Sequence, residues 1–191
     1  MSVLPASGRP AGEPARPLGL HDAWWTVAAA AVMACAGLTM CAWISAHVEV
    51  DPALHTAALF VHLASLTLGF GAVLGADYHG LLWMTRRCTL HETLATTSRL
   101  HVPIWAGLGG LVASGVMLEP DLASSITRIK LALVLVLTVN GLQAGLLNRR
   151  MAQHGPTPLT TRLLVWGATT ALVSQVCWWG AVVIGFRNSQ H

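Results

Sequence analysis

The chain reads as an all-α integral membrane protein, a helical bundle with five transmembrane helices, and three observations carry that reading. Of its 191 residues 54% are apolar and only 10% charged, with a mean hydropathy of +0.59, well outside the balance of a soluble domain. The apolar residues form continuous blocks, which implies helices, because a barrel strand alternates over about ten residues. Lysine and arginine crowd into alternate connections between those blocks, the asymmetry that orients a multi-span protein.

Residues 1–20 are rich in Pro, Gly, Ala and Arg and read as a disordered N-terminal tail. The apolar block after them has the length of a full span and no convincing small-residue cleavage site, so it is expected to be a retained helix and not a signal peptide. A five-helix transmembrane domain then occupies residues 21–187. Crossing about 30 Å of hydrocarbon takes about 20 helical residues. Five blocks meet that requirement, near Trp24 to Ile44, Pro52 to Met84, Val102 to Leu118, Ile126 to Leu147 and Leu163 to Phe186. The second is longer than needed, so its first turns are expected outside the bilayer.

One set of connections carries Arg9, Arg16, Arg86, Arg87, Arg99, Arg149, Arg150 and Arg162, while the other carries only Arg128, Lys130 and Arg187. This bias predicts a cytoplasmic N-terminus and an external C-terminus. The two external loops hold acids instead, Glu49 and Asp51 in one, Glu119 and Asp121 in the other. Basic residues occur as pairs and singles with no interleaved aromatics, which excludes a nucleic-acid footprint.

Gly71 and Gly75, Gly110 and Ser114, and Gly141 and Gly145 make small-xxx-small pairs, which predict close packing of spans two, three and four. Span one has less of this pattern and is expected at the periphery. The cysteines Cys35, Cys41, Cys88 and Cys177 show neither a CxxC nor a zinc-type spacing, so no disulfide framework is expected. Trp24, Trp25, Trp43 and Trp83 lie near span ends, where indoles anchor at the interface. Trp178 and Trp179 fall deeper and suit helix packing or stacking on a flat cofactor.

An ionisable group in a membrane helix costs several kcal/mol, about 2.5–3.5 for Asp, Lys or Arg at the centre, so each needs a partner, an interface or a function. With the predicted orientation these groups separate by depth. An outer layer holds His62 and Lys130, which either face a cofactor or each other. The plainer alternatives are a neutral His62 bonded to a neighbouring helix and a Lys130 that snorkels to the headgroups with Arg128. An inner layer holds Asp77, His79, Arg99 and His101. Asp77 and His79 are about 200° apart around a helix and cannot face one neighbour. An ion pair from Asp77 to Arg99, or a bond to His101, would pin the connection between spans two and three. A proton relay is the functional alternative for the same cluster.

Asn140, Gln143 and Gln175 read as cross-helix bonds of about 1 kcal/mol each. Met33, Cys35, Met40 and Cys41 would suit cuprous copper and are equally ordinary lipid-compatible fillers. "CTLH" at Cys88 to His91 lacks the second cysteine of a c-type haem site, and "GLGG" at Gly107 to Gly110 lacks the Lys-Ser/Thr of a phosphate loop.

The segments "FVHLASLTLGFGAVLGADY", "RLHVPIWAGLGGLVASGVML" and "RIKLALVLVLTVNGLQAGLLNRRM" resemble, over about residues 59–151, a group of small bacterial membrane proteins. It includes the HemJ-type protoporphyrinogen oxidases and the CopD-type copper resistance membrane domains. The shared pattern is an early His, a basic loop, a "W-x-G-L … SG" helix and a helix opening with Lys. In the HemJ-type proteins that His and Lys are associated with haem b and activity, and by position they match His62 and Lys130. The resemblance implies a bacterial plasma membrane protein with haem b as cofactor, His62 being the haem iron ligand, and a redox role. Two other classes stay open: metal (copper) or proton-coupled transport, and a noncatalytic accessory subunit of a membrane complex. The expected partners are membrane lipids, with a membrane-complex partner or a second copy of the chain, and no catalytic residue is assigned.

Overall fold

A computed structural model describes residues 24–47, 50–153 and 159–188. The predicted tail at 1–20, its Arg9 and Arg16, and Glu49 lie outside the described residues. Five helices follow one another: α1 (Trp24–Ser45), α2 (Pro52–Met84), α3 (Leu90–Val116), α4 (Ser125–Ala152) and α5 (Thr161–Asn188). Four of them, all but α3, are long and apolar enough to cross a membrane. α3 is less apolar because it carries Glu92, Arg99, His101 and Pro103 along its first half.

The helix starts and stops follow from local chemistry. α2 begins with Pro52 at its first position, where the missing N–H would have had no helical partner. It ends in a Schellman arrangement: Arg87 N–H donates to Leu82 O at 2.8 Å, Arg86 N–H to Trp83 O at 2.9 Å. Arg86 takes the left-handed conformation there, with φ 59°. α3 starts twelve residues before the predicted third span because Thr89 and Glu92 form a capping box. Thr89 Oγ1 accepts from Glu92 N–H at 3.2 Å, and the Glu92 carboxylate accepts from Thr89 N–H at 2.8 Å. The apolar block shows only the part of this helix that avoids water; its polar first turns leave no hydropathy signal.

Short connections make neighbouring helices antiparallel. The ends of α1 and α3 meet, with Ser45 Oγ donating to Val116 O at 2.9 Å. In the adjoining loops Val50 N–H donates to Glu119 Oε1 at 2.8 Å. This is called the Pro52 end of the molecule; the Met84 end is opposite.

α2 and α3 make the most extensive pair, α4 and α5 the next, and α1 lies against α4 and α3. The α2–α3 crossing is set by glycine. A Cβ placed on Gly107 would lie 2.5 Å from Gly69 N and 2.7 Å from Ser65 O, so only hydrogen fits there. One placed on Gly110 would collide with Ser65 Oγ. The predicted Gly71 contact does not occur, since nothing approaches that position within 4 Å. The relevant pair on α2 is Ser65 and Gly69, which is also small-xxx-small.

Trp178 covers this crossing and is 1% exposed, the most buried large side chain among the described residues. It packs with Val73, Leu108, Leu137 and Cys177 and stacks on Phe70 at 5.6 Å between ring centroids. Outside this core the surface is apolar: Phe60 is 75% exposed and Trp25 83%. Side chains so placed suit lipid contact and not water. α1 is the least enclosed helix, as its weaker small-residue pattern predicts; Ser45 is its one buried residue among those described.

Candidate functional site

The Pro52 end brings His62 of α2 against the last turns of α3. His62 Nδ1 lies 3.0 Å from Ser114 Oγ, and Ser114 is buried. The Ser114 hydroxyl donates its single proton to Gly110 O at 2.5 Å, one turn back on α3. Its oxygen can therefore only accept from the imidazole. With the Ser114 proton assigned to Gly110 O, Nδ1–H donates to Ser114 Oγ and Nε2 keeps the lone pair that a metal would use. Gly115 borders the same face, where a Cβ would make ordinary contact with His62 Cε1 at 3.8 Å.

Lys130, in the second turn of α4, is half-buried at the same end of the molecule. The structure thus brings the two outer-layer residues to one end of the molecule. Thr127, one turn before Lys130, is buried at 7% exposure and adds a hydroxyl on the same helix.

The inner layer is arranged differently from the expectation. Asp77 accepts a hydrogen bond from Gln175 Nε2 of α5 at 2.5 Å, and Trp179 Nε1 donates to Gln175 Oε1 at 3.0 Å. Gln175 takes the place anticipated for Arg99 or His101. The cause is rotational: Gly69 and Val73 face the core at α3 and α5, and Asp77 continues that stripe at i+4. His79 Nδ1 is instead 2.9 Å from Gly75 O of its own helix. His101 Nδ1 is likewise 3.2 Å from Thr97 O, and Arg99 is exposed. These four residues share a depth and not a site.

At the Met84 end Cys88 Sγ lies 3.2 Å from Thr93 Oγ1 and 3.7 Å from His79 O, which ties the α2–α3 turn back to α2. Among the described residues no group of three or more His, Cys, Asp or Glu side chains is placed to hold a metal ion. Met33 and Met40 are 72% and 63% exposed on the outer surface of α1, together with exposed Cys35.

Sequence reasoning placed Ser114 and Gln175 in packing roles and missed their partners. The signal for Ser114 was a hydroxyl in the last turn of an apolar helix, at the end where His62 lies. For Gln175 it was an amide at the depth of an otherwise unpaired carboxylate.

The outer layer fits a single axial nitrogen ligand in its donor chemistry: one imidazole with Nδ1 anchored and Nε2 available. Two cavities lie away from His62. One of about 240 Å³ is lined by residues of α1 and α4 including Val27, Leu142 and Arg149, and another of about 330 Å³ by Arg150, Arg162, Leu163 and Trp166. No family model, curated protein or solved structure matches the chain.

Proposed function

We propose that the chain is a five-span protein of a bacterial plasma membrane that binds haem b through His62 and serves a redox role. Four apolar helices and the antiparallel order of all five support the spans. In this reading α3 crosses from about Val102 and its capped first turns stand in the cytoplasmic interface. The arginine excess at the Met84 end supports a cytoplasmic N-terminus and an external C-terminus.

The observation that supports the cofactor is the chain of contacts from Gly110 O through Ser114 to His62 Nδ1, which favours the Nδ1–H tautomer with Nε2 as the ligand atom. Lys130 lies on the same side of the bundle, as a second group able to face the cofactor or one of its carboxylates. Haem, when bound, would supply one-electron chemistry whose potential is set by axial ligation and burial. The protein's own contribution would be to orient the imidazole, with Lys130 in the second turn of α4 as a cation at the same end. Asp77 is read as a structural pin between α2 and α5, since a neutral amide occupies it.

The test is the haem content of full-length protein purified in detergent from cells supplied with haem precursor. The reading expects about one b-type haem per chain by pyridine haemochrome. Protein carrying stoichiometric copper and no haem would favour the metal-handling class, and protein carrying neither would favour an accessory subunit.

A further inference from the structure

We propose that the Met84 end of α4 and α5 holds a binding site for the phosphate headgroup of an anionic phospholipid, formed by Arg150, Arg162 and Trp166. It rests on the membrane reading alone and is independent of haem.

α4 closes on Arg149 and Arg150, and the first turn of α5 contains Arg162 and no acidic residue. Between them lies the hollow of about 330 Å³ lined by Arg150, Arg162, Leu163 and Trp166. The Arg150 guanidinium sits over the Trp166 ring, 5.5 Å from its centroid, which restrains the side chain while its charge persists. Two guanidinium groups beside one hollow suit a phosphodiester, whose paired oxygens match the planar fork. Trp166 is a residue type that settles at headgroup depth, and Leu163 offers an apolar wall for the glycerol and first methylenes.

The opposite face of the same α4 turn extends the match. Arg149 lines the cavity of about 240 Å³ between α1 and α4 with Thr26, Val27, Ala30, Leu142, Gly145 and Leu146. Leu142, Gly145, Leu146 and Arg149 make one stripe, about 10 Å long at the helical rise. Apolar grooves running into a basic rim fit an amphiphile with an anionic head better than a free anion. Charge complementarity selects an anionic over a zwitterionic lipid, at about 1 kcal/mol per basic group near the membrane surface.

The test is native mass spectrometry of the full-length protein released from detergent after equilibration with phosphatidylglycerol or with phosphatidylcholine of the same acyl chains. A third arm uses inorganic phosphate. The expected result is preferential retention of phosphatidylglycerol, falling about fivefold for Arg150→Gln and for Arg162→Gln. Arg187→Gln, at the other end of α5, should leave the preference unchanged. Arg162 is exposed, so its substitution tests the site even where Arg150→Gln does not fold. Equal retention of the two lipids by the wild type would overturn the proposal. So would an equal loss in Arg187→Gln, or displacement of phosphatidylglycerol by inorganic phosphate at matching concentration.

Discussion

α2 carries polar residues near both of its ends, and the two ends use them differently. At the Pro52 end His62 bonds across to Ser114 of α3, with Lys130 of α4 nearby. At the Met84 end His79 turns back to Gly75 O of its own helix, and the bond from Gln175 to Asp77 reaches α5. A shared depth therefore does not make a site; the azimuth around the helix decides which groups meet. Between these ends lies the Gly69–Gly107 crossing that fixes how far α2 can rotate against α3.

That crossing gives the largest expected effect. Gly107→Ala drives a methyl group into the α2 backbone, which cannot move aside as a side chain would. The variant should lose about 1–3 kcal/mol or more and disturb both ends together. Gly71→Ala, with nothing within 4 Å, should be near neutral. Thermal unfolding in detergent compares the two, and equal stability of both variants would remove the crossing as the organising contact.

Gln175→Leu comes next, because it strips Asp77 of its hydrogen-bond donor and should cost about 1–3 kcal/mol. Arg99→Gln should have little effect in the same unfolding assay. A larger loss in Arg99→Gln than in Gln175→Leu would restore the ion pair that sequence reasoning favoured.

Ser114→Ala should cost about 1 kcal/mol in stability, since its bond to Gly110 O is local to α3 and the bond lost between helices is the one from His62. Its more telling readout is the cofactor: the imidazole loses its anchor, so haem content should fall while the fold persists.

The smallest effect concerns the α3 cap. The Thr89 backbone N–H, then its hydroxyl, hold the Glu92 carboxyl below its ordinary value of 4.5. A carboxyl depressed in the folded state stabilises above that ordinary value and loses its contribution as pH falls through the depressed one. The protection factors of the Glu92 and Thr93 amides, exchange rates divided into their intrinsic values at each pH, should therefore fall below about pH 4.5 in the wild type. In Glu92→Ala protection should be low at every pH, and a protection profile identical in both proteins would contradict the cap.

The helices were largely legible in the sequence because continuous apolar runs report burial in lipid directly. The Pro52 and Met84 limits of α2 follow from proline at one end and a basic turn at the other. What the apolar runs concealed was the first half of α3, whose Thr89 and Glu92 cap is a local hydrogen-bond signal and not a hydropathic one. The crossing was legible only as a class of residue: many glycines qualify, and choosing Gly69 and Gly107 over Gly71 requires the rotation of two helices. The partners of His62 and Asp77 were hidden for the same reason. Ser114 and Gln175 are about 50 and 100 residues away in sequence, and depth alone cannot pair them.

The central claim is that His62 Nε2 ligates haem, and one measurement addresses it most directly. The reduced-minus-oxidised absorption spectrum of the detergent-purified wild type should show b-type Soret and alpha bands. In His62→Ala those bands should be lost or shifted while helix content by circular dichroism is retained. A wild type without such bands, or bands that His62→Ala leaves unchanged, would contradict the account.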